Sequence, residues 1–203
     1  MRRSVTAIAA AAVLMAGGCG SGTGSARRAG PAQAARPATA RTGFPRCPAQ
    51  ALVLRPGAFV VPMTGEHAVM YALANRGAVT CTLSGYPQVV LYDAEGAALP
   101  FRYARGGGAY VTSHKPVTVI LTHGASAYVL VAKYRCDLGV ARNAAAIRLA
   151  LPAAHGAAFA QRATVAPGGA AGLSYCRGGP RDPGQVIAVS PVEPTPQATR
   201  SLR

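Results

Sequence analysis

The segment His67 to Asn75, HAVMYALAN, alternates Val69, Tyr71 and Leu73 with Ala68, Met70 and Ala72. Residues two apart share one face of a strand, not of a helix. The run therefore presents one large apolar face and one small one. The same short rhythm recurs along the chain. Ala51 to Leu54, Thr80 to Leu83, Gln88 to Tyr92, Val117 to Leu121, Ser126 to Ala132, Ile147 to Leu151 and Val186 to Val189 are further strand-length runs, and glycine or proline punctuates the gaps. Asn75-Arg76-Gly77 and Gly85-Tyr86-Pro87 read as turns, and Asp93-Ala94-Glu95-Gly96 as a hairpin connection. No segment keeps a long 3.6-residue period; Asn143 to Ala146 offers at most the start of a short helical turn. About seven to nine short strands at this spacing predict an all-β fold, an immunoglobulin-like antiparallel β-sandwich.

The N-terminus predicts export. Arg2 and Arg3 precede an uncharged apolar run of 11 residues, Val5 to Met15. A bilayer span needs about 20 residues, so this run fits a removable signal rather than an anchor. It ends Met15-Ala16-Gly17-Gly18-Cys19, which resembles the lipobox of bacterial lipoproteins, with Ala16 where a leucine is favoured. That resemblance implies cleavage after Gly18, a signal peptide over residues 1–18, and acylation of Cys19. Two or more acyl chains hold a protein stably on a membrane. Residues 19–46 carry Arg27, Arg28, Arg36, Arg41 and Arg46 among Ala, Gly and Pro, with no acid and one aromatic, Phe44. Such a segment cannot bury a core and is expected to be a disordered tether. Its reach is about 30 Å as a coil and about 80 Å fully extended. The expected domain runs over residues 47–193, long enough for a real core, and the tail 194–203 is expected to be disordered.

The formal charge is +15, from 21 Lys and Arg against 6 Asp and Glu. A balance this basic suggests an acidic partner. No arginine-rich run is interleaved with aromatics in the way single-strand binders require, so nucleic acid is not expected. For an exported chain the acidic partners are the membrane surface, an anionic envelope polymer or an envelope protein. A second source of the charge is compositional. Only Lys115 and Lys133 are lysines, and arginine beside heavy Ala, Gly and Pro use matches a GC-rich coding sequence.

Catalytic chemistry finds little footing. The six acids are Glu66, Asp93, Glu95, Asp137, Asp182 and Glu193. Asp93 and Glu95 share a hairpin turn, where carboxylates are mostly structural, and no glycosidase-type pair stands out. Gly172-Leu173-Ser174-Tyr175-Cys176 starts like a nucleophile elbow but has Cys176 where a second glycine belongs. Gly106-Gly107-Gly108 lacks the spacing of a phosphate loop. The expectation is a non-enzymatic protein without a cofactor. The alternative is copper handling: Met63, His67 and Met70 form a soft set suited to Cu(I). His67 and Met70 are three apart, however, and on a strand they point to opposite faces.

The expected ligand-binding surface is the segment Phe101 to Lys115, FRYARGGGAYVTSHK. It gathers Arg102, Tyr103, Arg105, Tyr110 and Lys115 around a triple glycine read as a mobile hinge. Arginine and tyrosine are the usual anchors of interfaces, and end loops are where sandwiches bind.

Several motifs together resemble one family. Cys47, Asn75 closing an apolar strand, Thr80 to Pro87 (TCTLSGYP), Val89, Leu91, Asp93 and Gly96 in a hairpin, and the late Cys136 and Cys176 are similar to a set of actinobacterial secreted and lipid-anchored proteins. Their shared domain is called a domain of unknown function, number 4232. The resemblance covers about residues 47–192. Members often carry Leu-x-Pro-Gly where this chain has Leu121-Thr122-His123-Gly124. The resemblance implies an extracytoplasmic β-sandwich with two disulfides and supplies no catalytic residue. Four cysteines in an oxidising compartment allow three pairings. The pairing expected is Cys47–Cys81, fastening the start of the domain to the strand before Gly-Tyr-Pro, and Cys136–Cys176, closing the excursion through Ile147 to Leu151. Cys81 is thereby a staple rather than a nucleophile or a metal ligand.

Acylation at Cys19 has a direct test. Cys19→Ala should release the chain into the medium or leave it unprocessed. Membrane fractionation at the same processed mass as wild type would contradict acylation.

Overall fold

The structure, a computed structural model, describes residues 43–151, 159–165 and 172–201. The expected signal peptide, Cys19, most of the expected tether and His155 lie outside the described residues. The described chain is almost all β. Its strands are β1 (Leu52–Val60), β2 (Glu66–Asn75), β3 (Cys81–Leu83), β4 (Gln88–Tyr92), β5 (Arg102–Arg105), β6 (Val119–Leu121), β7 (Ser126–Tyr134), β8 (Val140–Arg142), β9 (Ala146–Leu151), β10 (Phe159–Thr164), β11 (Tyr175–Cys176) and β12 (Val186–Val189). Every segment read as a strand from the sequence overlaps one. Among the described residues no helix is long and apolar enough to cross a membrane.

One sheet has the order β1-β2-β7-β12-β5 and a second the order β10-β9-β4, with the short pairs β3-β6 and β11-β8 beside them. Pairing is antiparallel except between β12 and β5, which run parallel. The alternation in β2 does what its pattern requires. Val69, Tyr71 and Leu73 enter the main core with Leu52, Leu54, Val129, Val131, Ile187 and Val189 of the same sheet. Across from them pack Val89, Leu91, Ile147 and Leu149 of the second sheet and Cys81, Leu83, Val119 and Leu121 of β3-β6. This gives a sandwich-like, two-layer core. The turn carboxylate Asp93 is structural: Oδ1 accepts the Ala97 N–H at 2.7 Å, and Oδ2 pairs with Arg142 at 3.3 Å.

Three local expectations are corrected. Asn143 to Ala146 forms no helical turn; Ala145 N–H donates to Tyr92 O and Ala146 opens β9. The triple glycine is not a mobile hinge. Gly106, Gly107 and Gly108 all have positive φ, and a Cβ on Gly106 would sit 2.5 Å from Thr112 O. Glycine is needed there for a tight reversal, which lays Val111 against Ala68, Leu130 and Ala132 on the outer face of the large sheet. The tail is not disordered through residue 201. Thr199 is buried, Thr112 N–H donates to Thr199 O at 3.0 Å, and Ser201 N–H donates to Tyr110 O at 2.9 Å. The tail and the 106–112 reversal together cover a sheet face that alternation alone leaves apolar and small.

The disulfides are Cys47–Cys81 and Cys136–Cys176, spanning 34 and 40 residues. Cys47 N–H and Thr82 N–H bond to Thr82 O and Pro45 O, so the first staple also carries a short parallel pairing at Arg46. Chain entropy assigns a loop of this length about 4 kcal/mol, a large part of the roughly 5–15 kcal/mol stability of a domain. Cys81→Ser should therefore lower the urea midpoint steeply while the surviving folded fraction keeps its far-UV spectrum. An unchanged midpoint would show that this staple contributes nothing.

Candidate functional site

β4 is an edge strand of the second sheet, its later half bonded by the 97–99 segment, and β5 is an edge strand of the first. The two edges adjoin at the side of the fold, where a groove of about 330 Å³ is lined by Tyr86, Pro87, Gln88, Val89, Val90, Tyr103, Ala104, Arg105 and Val189. Tyr103 bridges the edges: its hydroxyl accepts the Leu91 N–H at 3.1 Å. Partial burial pushes its phenol above the usual tyrosine range. Tyr86, from the Gly-Tyr-Pro turn, donates its hydroxyl to His114 O at 3.0 Å. Arg105 lies over the Tyr86 ring at 5.9 Å, within cation–π reach. The result is an exposed guanidinium held beside two aromatic rings on an apolar floor.

The structure brings together only part of the expected set. Arg102 is on the opposite face of β5 from Tyr103 and Arg105, as two-residue alternation requires. Lys115 is exposed beside His114 and does not line the groove. Tyr110 belongs to the outer-face cluster, with Arg200 over its ring at 5.6 Å. Tyr86 joins the groove although the sequence marks it only as a turn residue.

The copper set is not assembled. His67 Nδ1 sits 3.1 Å from Gly172 O, a carbonyl that can only accept, and the ring packs edge-on against Phe59 at 5.6 Å. Met70 lies on the other face of β2, where the Thr199 hydroxyl reaches its sulfur at 3.8 Å. Met63 is exposed in the preceding turn. Among the described residues no group of three or more His, Cys, Asp or Glu is arranged to hold a metal.

A second polar centre was missed by the sequence reading. Lys133 is 2% exposed. Its Nζ donates toward both sulfurs of the second disulfide, 3.4 Å from Cys136 Sγ and 3.5 Å from Cys176 Sγ. Among the described residues no carboxylate lies within ion-pair distance of it. Burial pushes its ammonium down to about 8, against the weaker pull of Asp182 and Glu66. Burial likewise raises the Glu66 carboxyl, opposed by His67 and Lys133.

A disulfide-stapled, all-β domain with a basic-aromatic groove is the class these observations define. The family model for a domain of unknown function (DUF4232) matches residues 47–178. That is more than half of the chain, and the chain belongs to this family. No curated protein and no solved structure matches it.

The buried ammonium sets a pH dependence. Between about pH 8 and 10.5 the folded state holds fewer protons at Lys133 than the unfolded state, so stability rises with pH across that window. The penalty is full below about pH 8 and corresponds to about 3 kcal/mol. Lys133→Met should be more stable than wild type near pH 7 and should lose the extra rise toward pH 10. Urea unfolding of the disulfide-intact pair at both pH values checks this; equal midpoint differences at the two would contradict it.

Proposed function

We propose that this chain is a non-enzymatic envelope protein, an exported actinobacterial lipoprotein whose immunoglobulin-like sandwich binds an anionic envelope component. Cys19 is the acylated residue, and the arginine-bearing tether holds the domain near the outer face of the cytoplasmic membrane. Two disulfides suit an oxidising, extracytoplasmic setting. The observation that carries the binding reading is the β4–β5 groove, where Arg105 is held over Tyr86 beside Tyr103. An anionic group there meets a guanidinium, and the sugar or backbone next to it meets two rings. The rest of a +15 chain favours approach of acidic partners. Two of the six acids have structural roles: Asp93 fixes a hairpin, and Asp182 accepts the Gly184 N–H at 2.9 Å.

The test is binding of the full chain to envelope fragments from the producing cell. Bound protein should fall as salt rises, because exposed charges are screened. Arg105→Glu should weaken binding about tenfold, or about 1.4 kcal/mol, and Arg102→Glu, on the other face, by less. Salt-insensitive binding that survives both changes would overturn this reading.

A further inference from the structure

Two disulfides of similar loop length sit in different surroundings. Cys81 is buried in the main core among apolar side chains, and Cys47 is half-buried against them, with no cation recorded at either sulfur among the described residues. Cys136–Cys176 has the Lys133 ammonium against both of its sulfurs. Its two ends also differ in access. Cys176 is fully buried, with the Gly184 backbone so close that a Cβ there would lie 2.7 Å from Cys176 Sγ. Cys136 is half-buried and lines a groove of about 360 Å³ with Phe59, Val61, His67, Arg135 and Val140. Leu138, two residues on, is 71% exposed, and Val61 and Val140 are exposed as well. This groove shares no lining residue with the β4–β5 groove.

We propose that Cys136–Cys176 is a thiol-exchange site that takes electrons from an external dithiol, with Cys136 as the attacked sulfur, Cys176 as the leaving thiolate and Lys133 as the group that stabilises it. An incoming thiolate approaches through the groove and bonds to Cys136 Sγ. The Cys136–Cys176 bond breaks, and its electron pair leaves on Cys176 Sγ, 3.5 Å from the Lys133 ammonium. The reductant's second thiolate then attacks its own sulfur in the mixed disulfide and releases Cys136 as a thiolate. The external dithiol ends as a disulfide; of its two thiol protons one ends on Cys136 and the other passes to solvent, which leaves Cys176 as a thiolate beside the Lys133 ammonium. Two electrons move and the atoms balance.

The physical reason lies in Lys133. A buried ammonium with no carboxylate at contact distance is costly. Reduction creates the anion it lacks, so the reduced form gains an interaction that the oxidised form cannot have. A thiolate stabilised by an adjacent cation is the feature that makes a disulfide more oxidising and its leaving sulfur faster to depart. The surface sulfur is the only one of the pair that an outside thiol reaches through the 360 Å³ groove.

The experiment uses the full chain with both disulfides formed, equilibrated in graded ratios of reduced to oxidised dithiothreitol, then alkylated and peptide-mapped. Cys136–Cys176 should open at a ratio at least about tenfold less reducing than Cys47–Cys81, with the far-UV spectrum still native. Glutathione should form its first adduct on Cys136. Lys133→Met should move the Cys136–Cys176 midpoint about tenfold toward stronger reductant, equivalent to about 30 mV, and leave Cys47–Cys81 in place. Opening of both disulfides together, opening of Cys47–Cys81 first, or an unmoved midpoint in Lys133→Met would overturn the proposal. If Lys133→Met does not fold, the wild-type order of opening and the glutathione position decide: an adduct on Cys176, or reduction only with loss of the native spectrum, overturns it.

Discussion

The nine-pair antiparallel ladder between β2 and β7, from Glu66↔Tyr134 to Ala74↔Ser126, is the member on which the rest of the fold hangs. β1 joins its outer side through β2, and β12 joins through β7. Both apolar clusters lie on it, one on each face. A one-residue slip in register would exchange Val69, Tyr71 and Leu73 for Ala68, Met70 and Ala72. The large residues meet the second sheet, while the small side accepts the close cover of Val111 and the tail. Register here is therefore specified twice, by bulk on one face and by smallness on the other.

The two ends of the ladder are finished differently. At one end Asn75 is fully buried and satisfied: its Nδ2 donates to Val79 O and Leu121 O at 3.0 Å, and its Oδ1 accepts the Gly77 N–H at 2.9 Å. Its backbone bonds to Ala125 O and Gly124 N–H as well. A short amide at that position ties three turns to one strand end, which makes the end rigid. At the other end the apolar run stops and the chain places Glu66, His67, Lys133 and Tyr134 opposite one another. His67 and Lys133 fall on the core side of the alternation, with Val69, Tyr71, Val129 and Val131, but beyond the last apolar layer. The ladder thus delivers a cation to the disulfide; the contact is a result of register, not of loop placement.

Much of the architecture was legible in the sequence because buried strands must alternate and must be separated by turn residues. The central strand and the Gly-Tyr-Pro turn follow from such local rules, and the pairing expected among the three that four cysteines allow is the one formed. What escaped was set by tertiary contacts. β5, RYAR, has no apolar alternation, and it is a strand because it lies parallel to β12. The reversal at Gly106 to Gly108 looked mobile, since three glycines in a row carry no hint that Val111 has a sheet face to cover. The tail PTPQATRS has no large apolar residue, and it is held by backbone bonds to Thr112 and Tyr110. Lys133 did leave a signal. In SAYVLVAKY it stands where the alternation of Ala127, Val129 and Val131 requires an apolar residue. Ending the strand at Ala132 hid that conflict, although the chain spends only two lysines and the other, Lys115, is exposed.

Conflicts of this kind, in which a local rule is broken without a visible gain in stability, mark the places where a fold does something besides holding itself together. As staples the two disulfides are equivalent, since loops of 34 and 40 residues differ by only about 0.1 kcal/mol in chain entropy. Cys47–Cys81 has the surroundings a staple needs, an apolar core and a backbone pairing at Arg46. For Cys136–Cys176 an apolar side chain at position 133 would close the same loop without the cost of a buried ammonium. Nothing in the stapling role asks for a cation, for a groove that exposes one sulfur, or for an exposed Leu138 beside it. A sulfur about to carry charge asks for the first, an attacking thiol for the second, and the apolar rim offers an approaching molecule a surface to rest on.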